Sequence, residues 1–322
     1  MTQVLLAVIL AACSAGERVP GRTTSKHRRD PRATLSVPDA LQIINRIHPG
    51  RSMVPVSWPG GKGVAVALTF DLDAELVWMR SPEKATPSNL SQGQFGPRAG
   101  VGRILRLLDA RKIPATFFLP ALTLELHPDT VVAIRQSGLH EIGYHGHAHE
   151  DVRTLSAGDE RGAMARGLAM FAKVGLRPRV HRSAAWNFSE NTLGLLREFG
   201  FLFDSSLMAD DRPYEIMSGA SPAGIVELPV DWSLDDWPYF QADGAGASMG
   251  PRNPDDVLAI WRGEFDGERA AGGLFVLTMH PQVIGRWGRI RMLERLLDHI
   301  DHSGGAWYGS LSQIGEHVKT AQ

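Results

Sequence analysis

Cysteine is nearly missing from this chain. Cys13 is the only one in 322 residues, so no intramolecular disulfide can form and no cysteine-based metal site exists. Any bound metal must use histidine, aspartate or glutamate. Charge of one sign is missing too. The formal net charge is −1, which leaves no basic field to hold nucleic acid or an anionic membrane. Beyond the N-terminus no stretch approaches the apolar length of a transmembrane span. No G-x-G-x-x-G turn follows the first strand pattern, which speaks against a dinucleotide site. No internal repeat is visible. What remains is 43% hydrophobic and 21% charged. That is ordinary globular composition, and the chain is long enough to bury a core without staples.

The first thirteen residues, MTQVLLAVILAAC, are apolar and end in small residues before Cys13. This resembles a bacterial lipoprotein signal, in which the cysteine becomes the lipidated N-terminus and the protein sits at the cell envelope. No Lys or Arg precedes the run, and the run is short for a signal. The other reading is an N-terminal extension on a cytoplasmic protein. Residues 14–36 are rich in Arg, Ser, Thr, Pro and Gly without periodicity, as in a disordered tail or linker. The expected organisation is therefore a signal and tail over 1–36 and one globular domain over 37–322.

Within that domain short apolar, β-branched runs alternate with helical stretches. Strand patterns fall at 64–70 (VAVALTF), 115–119 (ATFFL), 141–144, 179–183, 202–205, 225–229, 274–280 and 306–309. Helical faces fall at 98–111, 129–136, 156–174, 190–199, 254–270 and 290–300. Ser156 stands at an N-cap and Gly200 at a stop. Alternation of this kind predicts a parallel sheet with helices outside. About eight strands in a domain of this size fit a (β/α) barrel; a doubly wound open sheet is the alternative.

The polar residues that carry chemistry fall at the C-terminal ends of these strands, the face where barrel active sites assemble. Asp71 and Asp73 close the first strand. His145, His147 and His149 follow the third, Arg182 and Trp186 the fourth. Asp231 and Trp232 follow the strand at 225–229, and His280 ends the strand at 274–280. Asp71 and Asp73, two apart on a strand, point to one side, and like charges that close need a cation or a shared proton. His145 and His149 face one way on a helical turn; all three histidines face one way on a strand. Either suits a metal, because neutral imidazole is a favoured ligand. Two His and one Asp leave coordination positions open for water and substrate, although iron(II) oxygenases use the same set. A strand-end His280 suits proton transfer near neutral pH. Trp186, Trp232 and Trp237 are either core or the floor of a ring-binding groove.

These motifs, taken in order, resemble the polysaccharide deacetylases, carbohydrate esterase family 4. Thr-Phe-Asp-Leu-Asp (69–73), His-Gly-His-Ala-His (145–149), His-Arg-Ser-Ala-Ala-Trp (181–186), Val-Asp-Trp-Ser-Leu-Asp-Asp-Trp (230–237) and Leu-Thr-Met-His-Pro (277–281) are similar to its five blocks. The resemblance implies a distorted (β/α) barrel of about seven to eight strands and one divalent metal, zinc, held by Asp73, His145 and His149. It implies Asp71 as general base, His280 as general acid for the leaving nitrogen, and Arg182 as the holder of Asp71. Trp186, Asp231, Trp232, Asp236 and Trp237 are the expected substrate-binding residues. Leu72 separates two aspartates that are adjacent in the typical enzymes. Ala184 stands near the usual proline of block three, and Thr278 where sugar deacetylases carry a leucine. These spellings are similar to a side branch with peptidoglycan deacetylases, cyclic-imide hydrolases and allantoinase-like enzymes. The expected partner is thus a carbohydrate polymer with N-acetyl groups or a small cyclic amide, acted on by a monomer or a homo-oligomer. An inactive carbohydrate-binding barrel is the reading from another class; a base such as Asp71 argues against it. Residues 74–97 form a long segment expected to cover the pocket.

Overall fold

The structure, a computed structural model, describes residues 34–241 and 251–321. The sequence pattern around Cys13 lies outside the described residues. The chain divides after Leu41 into a short N-terminal unit and a compact unit, Gln42–Gln322.

The apolar runs of the second unit become strands of one sheet. In chain order these are β1 (Ile47–Ser52), β2 (Val64–Asp71), β3 (Thr116–Leu119), β4 (Glu141–Tyr144) and β5 (Val180–His181). They continue with β6 (Phe203–Asp204), β7 (Tyr214–Ser218), β8 (Ser221–Glu227), β9 (Leu274–Met279) and β10 (Ala306–Tyr308). All eight residues of β2 and all six of β9 are buried, as strands covered on both faces must be. β2 pairs β9 along one edge; its other edge is shared by β10 at Val64–Val66 and β3 at Thr69–Asp71. From β3 the order runs through β4, β5 and β6 to β8, all parallel. The gap between β8 and β9 is spanned by a bridge between Asp235 and Thr278. Seven parallel strands thus curl into a distorted barrel, and β10 adds an eighth outside the curl.

One correction concerns strand count. β1 and β7, antiparallel to their neighbours, extend the sheet to ten strands and were not expected. The β1 sequence, Ile-His-Pro-Gly-Arg-Ser, carries Pro and Gly and lies mostly exposed, which is where an edge strand tolerates them.

Alternation along β2 explains the layers. Val64, Val66, Leu68 and Phe70 face the helices, whereas Ala65 and Ala67 face the barrel interior with Phe118, Val180, Phe203, Val226 and Val276. Outer helices close the first layer. Ala157–Lys173 starts where the Ser156 side chain accepts from the Asp159 N–H, with Asp159 and Glu160 in its first turn. Pro254–Ala271 is capped by Asn253 and ends at Gly272 in the left-handed region. This scaffold holds the ends of β2, β4, β5 and β9 at one rim.

Candidate active site

β2 ends in Asp71, and the chain then turns sharply. Ala74 has φ +49°, so Asp73 stays over the rim and is buried. β4 ends at Tyr144, and residues 145–149 form neither strand nor helix. Gly146 (φ +86°) and His149 (φ +59°) bend the segment. The Glu150 carboxylate accepts from the His147 N–H at 3.0 Å and the Ala148 N–H at 2.6 Å. The bend turns His145 and His149 to Asp73 and leaves His147 outside their cluster. Strain at a non-glycine position such as His149 is the kind stored at functional sites.

Asp73, His145 and His149 are buried and offer ligand atoms within 4.8 Å of one another. Asp73 Oδ1 lies 3.4 Å from His145 Nε2 and 3.6 Å from His149 Nε2. Among the described residues it is buried without a hydrogen-bond partner. Metal–ligand bonds of about 2.1 Å in a tetrahedron put neighbouring ligands about 3.4 Å apart, so the orphaned oxygen and the two imidazoles fit a divalent metal. The His145 Nδ1–H donates to the Arg182 carbonyl at 2.8 Å, which leaves the Nε2 lone pair facing Asp73. Burial opposes charge on Asp73, yet His149, His145 and His280 hold its carboxyl well below the usual carboxylate range. Burial pushes His149 down to about 4 despite the attraction of Asp73. It is therefore neutral at pH 7, the form that binds metal.

Asp71 sits beside this cluster, with Oδ2 3.7 Å from His145 Nε2. Its Oδ1 accepts from Arg182 Nη1 at 2.9 Å. Arg182 is wholly buried and spans three strands. Nη1 also donates to Thr69 Oγ1, Nε to the Ser205 carbonyl and Nη2 to Ser205 Oγ, and the guanidinium lies 4.3 Å from the Phe118 ring centroid. A buried carboxylate held by such a fork has one fixed orientation.

His280 follows β9. Its Nε2 faces Asp73 Oδ2 at 3.7 Å, and its Nδ1–H donates to Asp236 Oδ1 at 2.8 Å. Asp236 also accepts the His280 N–H. Burial would discharge the ring, but Asp235, the bond to Asp236 and the nearby Asp73 raise it to about 10. At neutral pH it is an imidazolium with Nε2–H aimed at the rim. Asp235, Asp236 and His280 also lie close enough to hold an ion. Asp236 accepts from the ring and N–H of His280, and Asp235 accepts from the Trp237 N–H, so the carboxylates already have partners that orient them.

The cavity over these groups has a volume of about 180 Å³, and its walls include Val77, Arg80, Trp186, Trp232 and Trp237. Trp186 and Trp232 pack with ring centroids 4.2 Å apart, and Trp237 lies 4.9 Å from His280. Trp232 is 47% exposed, so it stands at the mouth. The segment 74–97 supplies Val77 and Arg80 as a packed wall. A Cβ on Gly93 would meet the Ala74 carbonyl at 2.4 Å.

Two of the expected substrate-binding residues lie elsewhere. Asp231 is outside the cavity lining, and its carboxylate caps the turn at Ser233. Asp236 lies behind His280. In their place Asp235 reaches the cavity, pushed up to about 7 by burial, against His280 and with Asp236. The expected strand ended near 229; the chain instead makes the turn Trp232–Leu234 and returns beside β9. That return inverts which aspartate of the doublet faces inward. Glu150 and Arg80 were also missed, since neither belongs to a block. Among the described residues, no helix is long and apolar enough to cross a membrane.

The polysaccharide deacetylase family profile matches residues 61–203. A candidate polysaccharide deacetylase from Mycobacterium smegmatis, solved by crystallography, is 37% identical. The alignment covers 85% of this chain and 95% of that one, with a TM-score of 0.78. A peptidoglycan deacetylase of Helicobacter pylori is 29% identical over 274 residues, 76% of this chain and 93% of its own length. The crystal structure of an allantoinase is 25% identical and covers 83% of this chain and 93% of that one, with a TM-score of 0.70. With its strand order, rim and relatives in agreement, this chain belongs to the polysaccharide deacetylase family, hydrolases of non-peptide carbon–nitrogen bonds.

Proposed function

We propose that the protein is a divalent-metal hydrolase that removes an acetyl group from the nitrogen of a sugar, with zinc the metal that suits its one-Asp, two-His donor set. The observation that carries this is the orphaned, buried Asp73 Oδ1 facing two imidazole nitrogens, beside an Arg-held carboxylate and an imidazolium. Asp73, His145 and His149 would hold the metal. A metal there supplies Lewis acidity to the substrate carbonyl and to a water. Asp71, kept in orientation by Arg182, takes the proton of the attacking water on Oδ2. His280 gives the Nε2 proton to the departing nitrogen, and Asp236 steadies the ring through Nδ1. Trp186 and Trp232, tilted 39° to each other, offer apolar ring surface to a sugar.

The peptidoglycan deacetylase relative supports the sugar. A lipid on Cys13 would place the enzyme at the envelope, where such a polymer lies. A second reading is favoured by the cavity. About 180 Å³ is close to the roughly 150 Å³ of an apolar cavity that takes up benzene, room for one ring. Together with the allantoinase neighbour this supports a small cyclic imide or ureide, opened by the same groups. Hydrolysis of N-acetylglucosamine oligomers and of succinimide by zinc-loaded and chelator-treated protein separates the two. Metal-dependent acetate release is expected; ring opening without acetate release would replace the sugar by the small ring. Neither activity in the zinc-loaded protein would overturn the hydrolase reading.

A further inference from the structure

Arg80 has no part in the chemistry above, yet its side chain lines the same cavity as His149 and His280. It caps the C-terminus of the short helix Leu76–Met79. Among the described residues its side chain makes no hydrogen bond and one ion pair, with Asp151 at 3.6 Å. That acid is already gripped by Arg153, through Nε at 2.9 Å and Nη2 at 2.7 Å. The acids of the cavity are matched elsewhere. Asp71 is held by Arg182, Asp73 faces His145 and His149, and Asp235 faces His280. A guanidinium 30% exposed at the cavity wall, with one ion pair at 3.6 Å and no side-chain hydrogen bond, keeps N–H groups of its planar fork to receive a planar anion.

We infer that Arg80 is a specificity-determining residue and that the substrate carries a carboxylate on the ring whose amide is cut. This rests on the hydrolase reading. The ring lies against Trp186 and Trp232 with its acyl carbon over the metal cluster, and the carboxylate turns to Arg80. Two sources share this chemistry: an N-acetylated sugar bearing a carboxyl side chain, and a small cyclic ureide bearing a ring carboxylate.

Calorimetry on the zinc-loaded full chain tests it with matched pairs that differ by the carboxylate. N-acetylmuramic acid is set against N-acetylglucosamine, and dihydroorotate against dihydrouracil. The Asp71→Asn background keeps the ligands intact. In one pair the acid should bind about 10- to 100-fold more tightly than its neutral partner, and the pair that responds names the source. Arg80→Gln should bring that ratio close to one, and Arg80→Lys should keep part of it. A ratio near one in both pairs with Arg80 present would overturn the inference, as would a preference that survives Arg80→Gln. Turnover of the same compounds by protein with Asp71 intact is read separately. An Arg80-dependent preference without any turnover would remove the hydrolase reading and leave the carboxylate site standing.

Discussion

At the residue scale the site is a set of paired orientations. In the proposed mechanism His280 is the acid: Asp236 holds Nδ1, and burial keeps water from competing. Its pKa is raised to about 10, against burial, by Asp235, Asp236 and Asp73. A group that must be protonated to act loses activity as pH rises through its pKa. Asp236→Asn removes one carboxylate and should move the alkaline limb of the rate profile to lower pH, with turnover at neutral pH down roughly 10²-fold. A limb that stayed in place in kcat against pH would remove Asp236 from this role. Arg182→Lys keeps the charge and loses the fork to Thr69, Asp71 and Ser205. It should lower kcat more than it raises KM, because Asp71 would lose its orientation rather than the ring its seat.

The residues proposed to hold a metal and to move protons could be picked out in the sequence because most of them fall at or just after the end of an apolar run. His145 and His149 were readable from spacing alone, but the choice between a strand and a turn was not. That choice depends on Gly146, on positive φ at His149 and on the Glu150 carboxylate, none of which leaves a periodic trace. Asp235 and Asp236 are adjacent and chemically alike. Which faces inward depends on a bridge to Thr278, a contact 43 residues away in sequence, and no local pattern encodes it.

At the scale of elements, the wall of the cavity and the acid are joined by glycine contacts. The π-helical turn Gly96–Gly100 packs on the residue that follows His280. A Cβ built on Gly100 would meet the Pro281 carbonyl at 2.1 Å, and one on Gly285 would meet the Gly100 Cα at 2.5 Å. π-turns of this kind occur mostly at functional sites. Gly100→Ala should therefore cost about 1–3 kcal/mol through overpacking and lower turnover by displacing His280. Gly194→Ala is the control. It lies in the helix Thr192–Glu198 with nothing within 4 Å of the added carbon, and should be neutral or stabilising by up to about 1 kcal/mol. Urea unfolding and turnover measured on both variants check this; equal behaviour would mean the wall and the acid are not coupled.

At the scale of the whole molecule, the ends of β5, β6 and β8 are tied beneath the rim by buried acids. His181 Nδ1 meets Asp204 Oδ1 at 2.5 Å, and Glu227 Oε1 accepts from the Ser206 and Leu207 N–H groups at 2.9 Å. Burial, then Asp204, pushes the Glu227 carboxyl well above its ordinary 4.5. The folded chain thus holds this proton more tightly than the unfolded one. The stability that comes with it is present below about pH 4.5 and is lost as pH rises toward the folded value, at up to about 1.4 kcal/mol per pH unit. Glu227→Gln keeps the acceptor and offers an N–H to Asp204. The wild type should therefore lose Tm relative to this variant between about pH 5 and pH 8; a gap that did not change with pH would contradict the protonated acid. The barrel itself was legible from its strand patterns, whereas β1 and β7 were not: β1 is an exposed edge strand carrying Pro and Gly, and β7, between β1 and β8, is only partly buried.

The most direct test joins metal content to turnover in three proteins: wild type, His145→Ala and Asp71→Asn. Each is loaded with zinc, freed of excess, assayed for bound metal by atomic emission and then for acetate release. The account predicts about one zinc per chain in the wild type and in Asp71→Asn, activity in the wild type alone, and neither metal nor activity in His145→Ala. An active His145→Ala protein without metal, or an Asp71→Asn protein as fast as the wild type, would contradict it.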